Sequence, residues 1–176
     1  MNIPWMIDQA STYAAEIDNI IIWVAILAGF WFFVAEGVFF WLILRYRAKP
    51  GVKPQYLEGH ETHVKKWVTW PHFFILGFDL VIIWMAISVW YNVKQQLPEP
   101  DRTIRVIGQQ WAWTFQHPGQ DNQLDTDDDI VTVDELHVEV DQTYHFLLEA
   151  RDVLHAFSIP VFRIKQDAIP GRTITG

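Results

Sequence analysis

Cysteine is absent from all 176 residues, so the sequence contains neither a disulfide scaffold nor a zinc ribbon. Charged residues are also scarce, at 19% against 51% hydrophobic residues, which excludes a disordered tail. Basic side chains number 13 against 21 acidic ones, for a formal charge of −8. Most of that charge lies in residues 93–176, so we expect no nucleic acid partner.

Two long apolar runs dominate the first half of the chain. Residues 20–44 contain a single charged side chain, Glu36, and residues 67–91 contain one carboxylate, Asp79. A helix of either length exceeds the ~30 Å hydrocarbon core of a bilayer. The sequence therefore predicts two transmembrane helices, with Pro71 in the first turn of the second.

The distribution of basic residues predicts the orientation of this helical hairpin. Residues 1–19 contain no Lys or Arg, whereas six lie within residues 45–66. The positive-inside rule places 45–66 in the cytoplasm. We therefore expect an external segment at 1–19, a membrane hairpin at 20–92 whose first helix is an uncleaved anchor, and an external domain at 93–176. In a bacterium this domain lies on the periplasmic face of the cytoplasmic membrane.

The external domain has the alternation of β-strands. Four segments fit this period, and turn signals separate them: 103–107, 111–115, 136–140 and 144–148. They predict short antiparallel strands in a small sandwich or barrel. Another strand begins near Thr173 and is cut off at Gly176, which would leave an open sheet edge. We therefore expect a segment of a longer parent chain, with a naturally shortened chain as the alternative.

Two kinds of side chain in this domain could carry chemistry. His155 is predicted between two strands, where an imidazole can bind a metal or simply form a hydrogen bond. Trp111 and Trp113 are two residues apart and are predicted to share one face of a strand, where electron entry and aromatic packing both remain open.

Carboxylates are numerous between residues 99 and 141, where only Arg102 and Arg105 are basic. Such a surface attracts a basic redox partner, or it is simply solvated. Residues 125–129 contain four aspartates, for which a calcium site is a third possibility. The intramembrane carboxylates Glu36 and Asp79 are costly in hydrocarbon, so we expect them to face another subunit, a cavity or a hydrogen-bond donor.

Three motifs follow the two apolar runs in order. They read GlyGlnGlnTrpAlaTrpThrPhe at 108–115, AspValLeuHisAlaPheSerIlePro at 152–160 and LysGlnAspAlaIleProGlyArg at 165–172. Together with the topology they resemble subunit II of cytochrome c oxidase. The resemblance implies an α+β membrane protein: a transmembrane helical hairpin followed by a cupredoxin-like β-barrel, incomplete at its C-terminus. It also implies a dinuclear copper centre, CuA, which takes electrons from cytochrome c and passes them to haem in subunit I, where haem and CuB reduce oxygen.

The resemblance also suggests roles for individual residues. It implies that His155 is a copper ligand, that Trp111 is the electron entry point and that Asp152 docks cytochrome c. Lys165 and Asp167 would lie against subunit I, and subunit III is a further expected partner.

The sequence departs from the family pattern in two places. The bridging cysteines, second histidine and methionine of the copper centre are missing from the 176 residues, and Glu61 stands a few positions early for a proton-channel glutamate. A copper-free subunit II of a quinol oxidase and a structural anchor or assembly subunit therefore remain alternatives.

Overall fold

The computed structural model describes residues 7–54 and 56–176, which divide into two compact units. One unit comprises residues 16–90, and the other comprises residues 91–176 together with the described residues up to 15.

The helical unit is built on α1 (Ala14–Arg45) and α2 (Thr62–Lys94). Each helix is about 50 Å long at ~1.5 Å per residue, which is more than a bilayer core requires. Their most apolar windows have mean hydropathies of 2.1 and 2.2 and are 0% buried within the protein. A core helix of a soluble protein would be mostly buried, so these exposed apolar surfaces fit a membrane protein and agree with the two predicted spans.

The start of α2 differs from the prediction. The helix begins at Thr62, so Pro71 lies inside it and the expectation of a first-turn proline is wrong. The mostly polar segment from His63 to Lys66 extends the helix ahead of its apolar run. Because proline has no N–H, the helical hydrogen bond to the carbonyl of Trp67 is missing.

The β-domain contains seven strands. These are β1 (Arg102–Gln109), β2 (Ala112–His117), β3 (Ile130–Val133), β4 (Tyr144–Ala150), β5 (His155–Ile159), β6 (Ile164–Ala168) and β7 (Ile174–Thr175). Five form one sheet in the order β3-β2-β1-β4-β7, while β5 and β6 form a separate hairpin joined by a short 3₁₀ turn. The described residues therefore form two sheets and no closed barrel.

The core lies between one face of the five-stranded sheet and the β5–β6 hairpin. It consists of Ile104, Val106, Phe115, Phe146, Leu148, Phe157 and Ala168, all at most 5% exposed. In β1 the buried positions alternate, as the period-2 pattern predicts. Phe157 is the main contribution of the hairpin, with its ring centroid 5.5 Å from those of Phe146 and Trp113.

Several predicted strands are present, but one pairing between them differs from the prediction. The strands expected at 103–107 and 144–148 are present within β1 and β4, and the one near Thr173 is β7. The pairing of β1 with β4 is parallel, so the expectation of only antiparallel neighbours is wrong. A parallel pair requires a long connection, which residues 110–143 provide together with β2 and β3.

The strand predicted at 136–140 is also wrong. This segment is irregular, although Leu136 packs against the core, and the backbone N–H of Glu139 donates to the Tyr144 hydroxyl at 2.8 Å instead of to a neighbouring strand. The strand in this part of the chain is instead β3, where Val131 pairs with Gln116 of β2 and Thr132 pairs with Phe115.

Candidate functional site

His155 is the first residue of β5, rather than part of the loop before it as the sequence predicted. Its side chain is 18% exposed and lies against Gly108 of β1. A Cβ atom at position 108 would come within 2.9 Å of the imidazole Cγ, so only glycine leaves room for the ring. Trp113 of β2 pairs with Gly108, and its ring meets the imidazole edge to face at 5.8 Å. Three strands therefore fix the position of this histidine.

Asp152 is the hydrogen-bonding centre of the site. Its Oδ1 lies 2.7 Å from the His155 Nε2 and also accepts the backbone N–H of Val153 at 2.7 Å. Its Oδ2 accepts the backbone N–H of Gln110 at 2.7 Å. These donors stabilise the charged form, chiefly the His155 ring, and lower the pKa of Asp152 from 3.8 to about 2.

The ionised state of Asp152 determines how the imidazole is oriented. A carboxylate only accepts hydrogen bonds, so His155 must carry a proton on Nε2. In the neutral imidazole the lone pair is then on Nδ1. This is the arrangement of a metal-binding histidine whose other nitrogen donates to a carboxylate.

Trp111 lies in the turn between β1 and β2, and its side chain is 91% exposed. Trp113 is half-buried and packs against the core, so the prediction that the two rings share a strand face is wrong. The strand begins only at Ala112, which releases Trp111 from the alternation of β2. The residue before it, Gln110, donates its backbone N–H to Asp152. The exposed indole is therefore connected to His155 through one residue of backbone and two hydrogen bonds at the Asp152 carboxylate.

Lys165 and Asp167 occupy the outer face of the β5–β6 hairpin. Both are exposed and lie opposite Ser158 and Ala156, which are also exposed. His155 and Phe157 occupy the other face of the same hairpin. The fold does not bring Lys165 or Asp167 into the histidine site.

The two carboxylates predicted to lie within the membrane belong to the helical unit. Glu36 is half-buried in α1 and Asp79 is exposed on α2. Hydrocarbon around an exposed carboxylate is unfavourable, so the position of Asp79 is compatible with a partner outside this chain.

Much of the acidic surface is organised by internal hydrogen bonds. Arg105 binds Asp125 with two contacts, at 2.6 Å and 2.9 Å, and Gln116 adds a third to the same carboxylate. Arg105, followed by Gln116, lowers the pKa of Asp125 to about 2. Asp128 accepts the Thr126 hydroxyl and the backbone N–H of Gln120, and the pKa of Asp128 is lowered in turn. Asp125 and Asp128 therefore remain ionised well below neutral pH.

Sequence reasoning missed two members of the site. Gly108 makes space for the imidazole, and Gln110 provides the backbone donor that links the Trp111 turn to Asp152. Both stand in the 108–115 motif, within three residues before Trp111, and that position was their signal.

The donors present do not fit a complete copper centre. Within the described residues there is no cluster of three or more His, Cys, Asp or Glu side chains able to hold a metal, and the sequence contains no cysteine. A dinuclear copper site needs soft thiolate ligands. His155 fits the role of one ligand only.

Comparison with protein families finds a match to the β-domain. Residues 102–175 match the family model described as cytochrome c oxidase subunit II, periplasmic domain. The alternative cytochrome c oxidase subunit 2 of Bradyrhizobium diazoefficiens is 26% identical over 96% of this chain and 67% of its own length. Subunit 2 of Thermostichus vulcanus is 46% identical, but over 41% of this chain and 19% of its own length.

Solved structures give matches of the same kind. The periplasmic domain of subunit II of cytochrome oxidase from Bradyrhizobium japonicum is 29% identical, with a TM-score of 0.38, over 46% of this chain and 64% of that one.

The fold and site thus define a domain carried on two long apolar helices, with one histidine set up by a carboxylate beside an exposed tryptophan. Residues 102–175 are similar to the periplasmic domain of cytochrome c oxidase subunit II, and the matches support a subunit II assignment for the chain. The family is a copper-binding subunit of haem-copper oxidases, which are oxidoreductase complexes.

Proposed function

We propose that this chain is the electron-entry subunit of a bacterial cytochrome c oxidase, with residues 93–176 on the periplasmic face. Electrons from cytochrome c enter at Trp111 and leave towards haem in subunit I, where haem and CuB reduce oxygen to water. The chain conducts electrons and does not catalyse oxygen reduction itself.

The observation that carries this proposal is the link between Trp111 and His155. An exposed indole can contact the haem edge of a partner, and its π-system shortens the route through saturated protein. From there the Gln110 N–H and the two oxygens of Asp152 lead to the imidazole through contacts of 2.7 Å. His155 is proposed as one CuA ligand through Nδ1, and the remaining ligands must come from outside these 176 residues.

Partners are proposed from charge and exposure. The stretch from 106 to 150 contains ten carboxylates and no Lys or Arg, which favours encounter with a basic cytochrome c. Asp152 adds its negative charge to this surface. It also accepts three hydrogen bonds, one of which holds the turn that presents Trp111. Lys165 and Asp167 are proposed to contact subunit I, and Glu36 and Asp79 to face subunit I or III within the membrane.

Stopped-flow reduction of the intact oxidase by cytochrome c tests the electron-entry role. Trp111→Ala should slow haem reduction by at least tenfold, while Val140→Ala, an equally exposed apolar change at 87% exposure, should not. The copper-to-iron ratio should be unchanged in Trp111→Ala and should fall in His155→Ala. Unchanged electron entry in Trp111→Ala would mean that the ring has another role.

A copper-free subunit II of a quinol oxidase is the second candidate, because the site has His155 as its one imidazole and the 176 residues contain no cysteine. The same intact complex discriminates between the two. A mixed-valence copper signal with cytochrome c as donor supports the first function, whereas quinol oxidation without that signal supports the second.

A further inference from the structure

The helical unit contains a cavity that electron transfer does not use. It has a volume of about 390 Å³ and lies between α1 and the first third of α2. Five of its lining side chains are apolar and one is a cation: Trp31, Trp67, Trp70, Pro71, Phe74 and Lys66. No carboxylate lines it.

The cavity has a charge at one end and a hydrocarbon-like wall along its length. Lys66 and Phe74 are eight residues apart on α2, which corresponds to about 12 Å along the helix axis. Trp67, Trp70 and Phe74 are 74%, 60% and 58% exposed, so the wall opens outward from the helices. A ligand that fits this shape is an amphiphile with a negative head and an apolar chain.

Beside the cavity, one side-chain donor has no partner in the described part of the chain, and one helical backbone hydrogen bond is missing. The Trp31 Nε1 is shielded from solvent and has no acceptor within the described part of the chain. Pro71 cannot donate to the carbonyl of Trp67, which is one turn earlier. An unpaired N–H at membrane depth is unfavourable, and an ester carbonyl of a ligand would satisfy it.

We propose that this cavity binds one anionic phospholipid of the cytoplasmic leaflet. The phosphate pairs with Lys66, a glycerol ester carbonyl accepts the Trp31 indole N–H, and one acyl chain lies on the aromatic wall. The charge favours this occupant over an uncharged one, because Lys65 adjoins Lys66 and basic pockets between membrane helices bind anionic head groups. The site requires only that the helices lie in a membrane, so it goes beyond the proposed electron transfer and does not depend on it.

Native mass spectrometry of the full chain tests the proposal. The chain is reconstituted in nanodiscs of phosphatidylcholine doped with phosphatidylglycerol, and the lipids that remain bound after ejection are counted. The wild type should retain one phosphatidylglycerol in preference to phosphatidylcholine. Lys66→Gln should lower that retention about fivefold, since one basic side chain near the membrane surface contributes that much binding. Lys53→Gln, in the exposed loop, is the matched control and should retain the lipid.

Two further variants separate specific binding from a folding defect. Lys66→Arg keeps the charge and should retain phosphatidylglycerol. Trp31→Phe keeps an aromatic ring but removes the indole N–H, and it should lower phosphatidylglycerol retention about threefold. Equal retention in the wild type and Lys66→Gln, loss in Lys66→Arg as large as in Lys66→Gln, or equal retention of phosphatidylcholine would each overturn the proposal. Because none of these measurements involves cytochrome c or copper, failure here leaves the electron-entry proposal to its own test.

Discussion

Asp152 Oδ1 lies 2.7 Å from His155 Nε2, three residues along the chain. The other oxygen of this carboxylate binds the backbone of Gln110, 42 residues earlier. One side chain therefore fixes both the tautomer of the histidine and the turn that exposes Trp111. This arrangement is the part of the site most open to direct test.

Replacing Asp152 by Asn should change both the imidazole and the acid stability. Loss of the charge weakens the Nε2–H hydrogen bond, so ¹⁵N NMR of labelled histidine should show a lower population of the Nε2-protonated form. In the wild type the pKa of Asp152 is about 2 when folded and 3.8 when unperturbed. Its contribution to stability is present above pH 3.8 and is lost as the pH falls towards 2, and Asp152→Asn should lack this dependence.

The control for this variant is Asp127→Asn, which removes an exposed carboxylate of the acidic loop. It should leave the histidine spectrum as in the wild type. An unchanged spectrum in Asp152→Asn would show that the carboxylate does not set the tautomer.

Gly108→Ala should displace the imidazole. The new Cβ would lie 2.9–3.0 Å from three atoms of His155, which is too close without movement of β1 or β5. We expect destabilisation of about 1–3 kcal/mol and shifted His155 resonances. Gly77→Ala is the control, because a Cβ atom added at Gly77 would meet no heavy atom within 4 Å. It should show neither effect. Denaturant unfolding with NMR of the same samples provides both measurements.

Phe157→Ala should be among the most damaging core changes. The ring is 4% exposed and is in contact with Trp113, Phe115 and Phe146. Removing it leaves a cavity between the hairpin and the sheet, for a loss of about 3–5 kcal/mol in the free energy of unfolding. Ser158→Ala, on the outer face of the same strand, should change it by less than about 0.5 kcal/mol. Similar unfolding midpoints for the two variants would contradict the assigned core.

Arg105→Gln should raise the pKa of Asp125 from about 2 towards 3.8, because it removes the largest cause of the lowering. The pKa of Asp152 should stay at about 2, since Arg105 is not among its hydrogen-bond partners. A ¹³C NMR titration of the aspartate carboxyl groups follows both in one sample. A pKa of Asp125 that does not move would mean that the loop, rather than Arg105, stabilises its charge.

The prediction from sequence was most accurate where one physical effect dominates. Runs of 25 apolar residues around Glu36 and Asp79 favour long apolar helices, and the structure has a helix over each run. Prediction was least accurate for the strands, because several segments have a similar alternating pattern and the pattern does not say which of them pair. The segment 136–140 has a strand-like pattern, yet β3 pairs with β2 in its place. The parallel pairing of β1 with β4 is likewise a property of long-range topology.

The sequence by itself determined the two apolar helices, the acidic character of the β-domain and the residue types of the site, because hydrophobic length, charge and motif are written locally. Only the tertiary structure decided that Trp111 is exposed while Trp113 is half-buried, and that Gly108, Gln110 and Asp152 converge on His155. Those contacts join residues up to 47 positions apart, between Gly108 and His155, and depend on strand register and on space for a single ring. Neither the strand register nor the space for the ring can be read from a local sequence pattern, because both are set by how β1, β2 and β5 pack together.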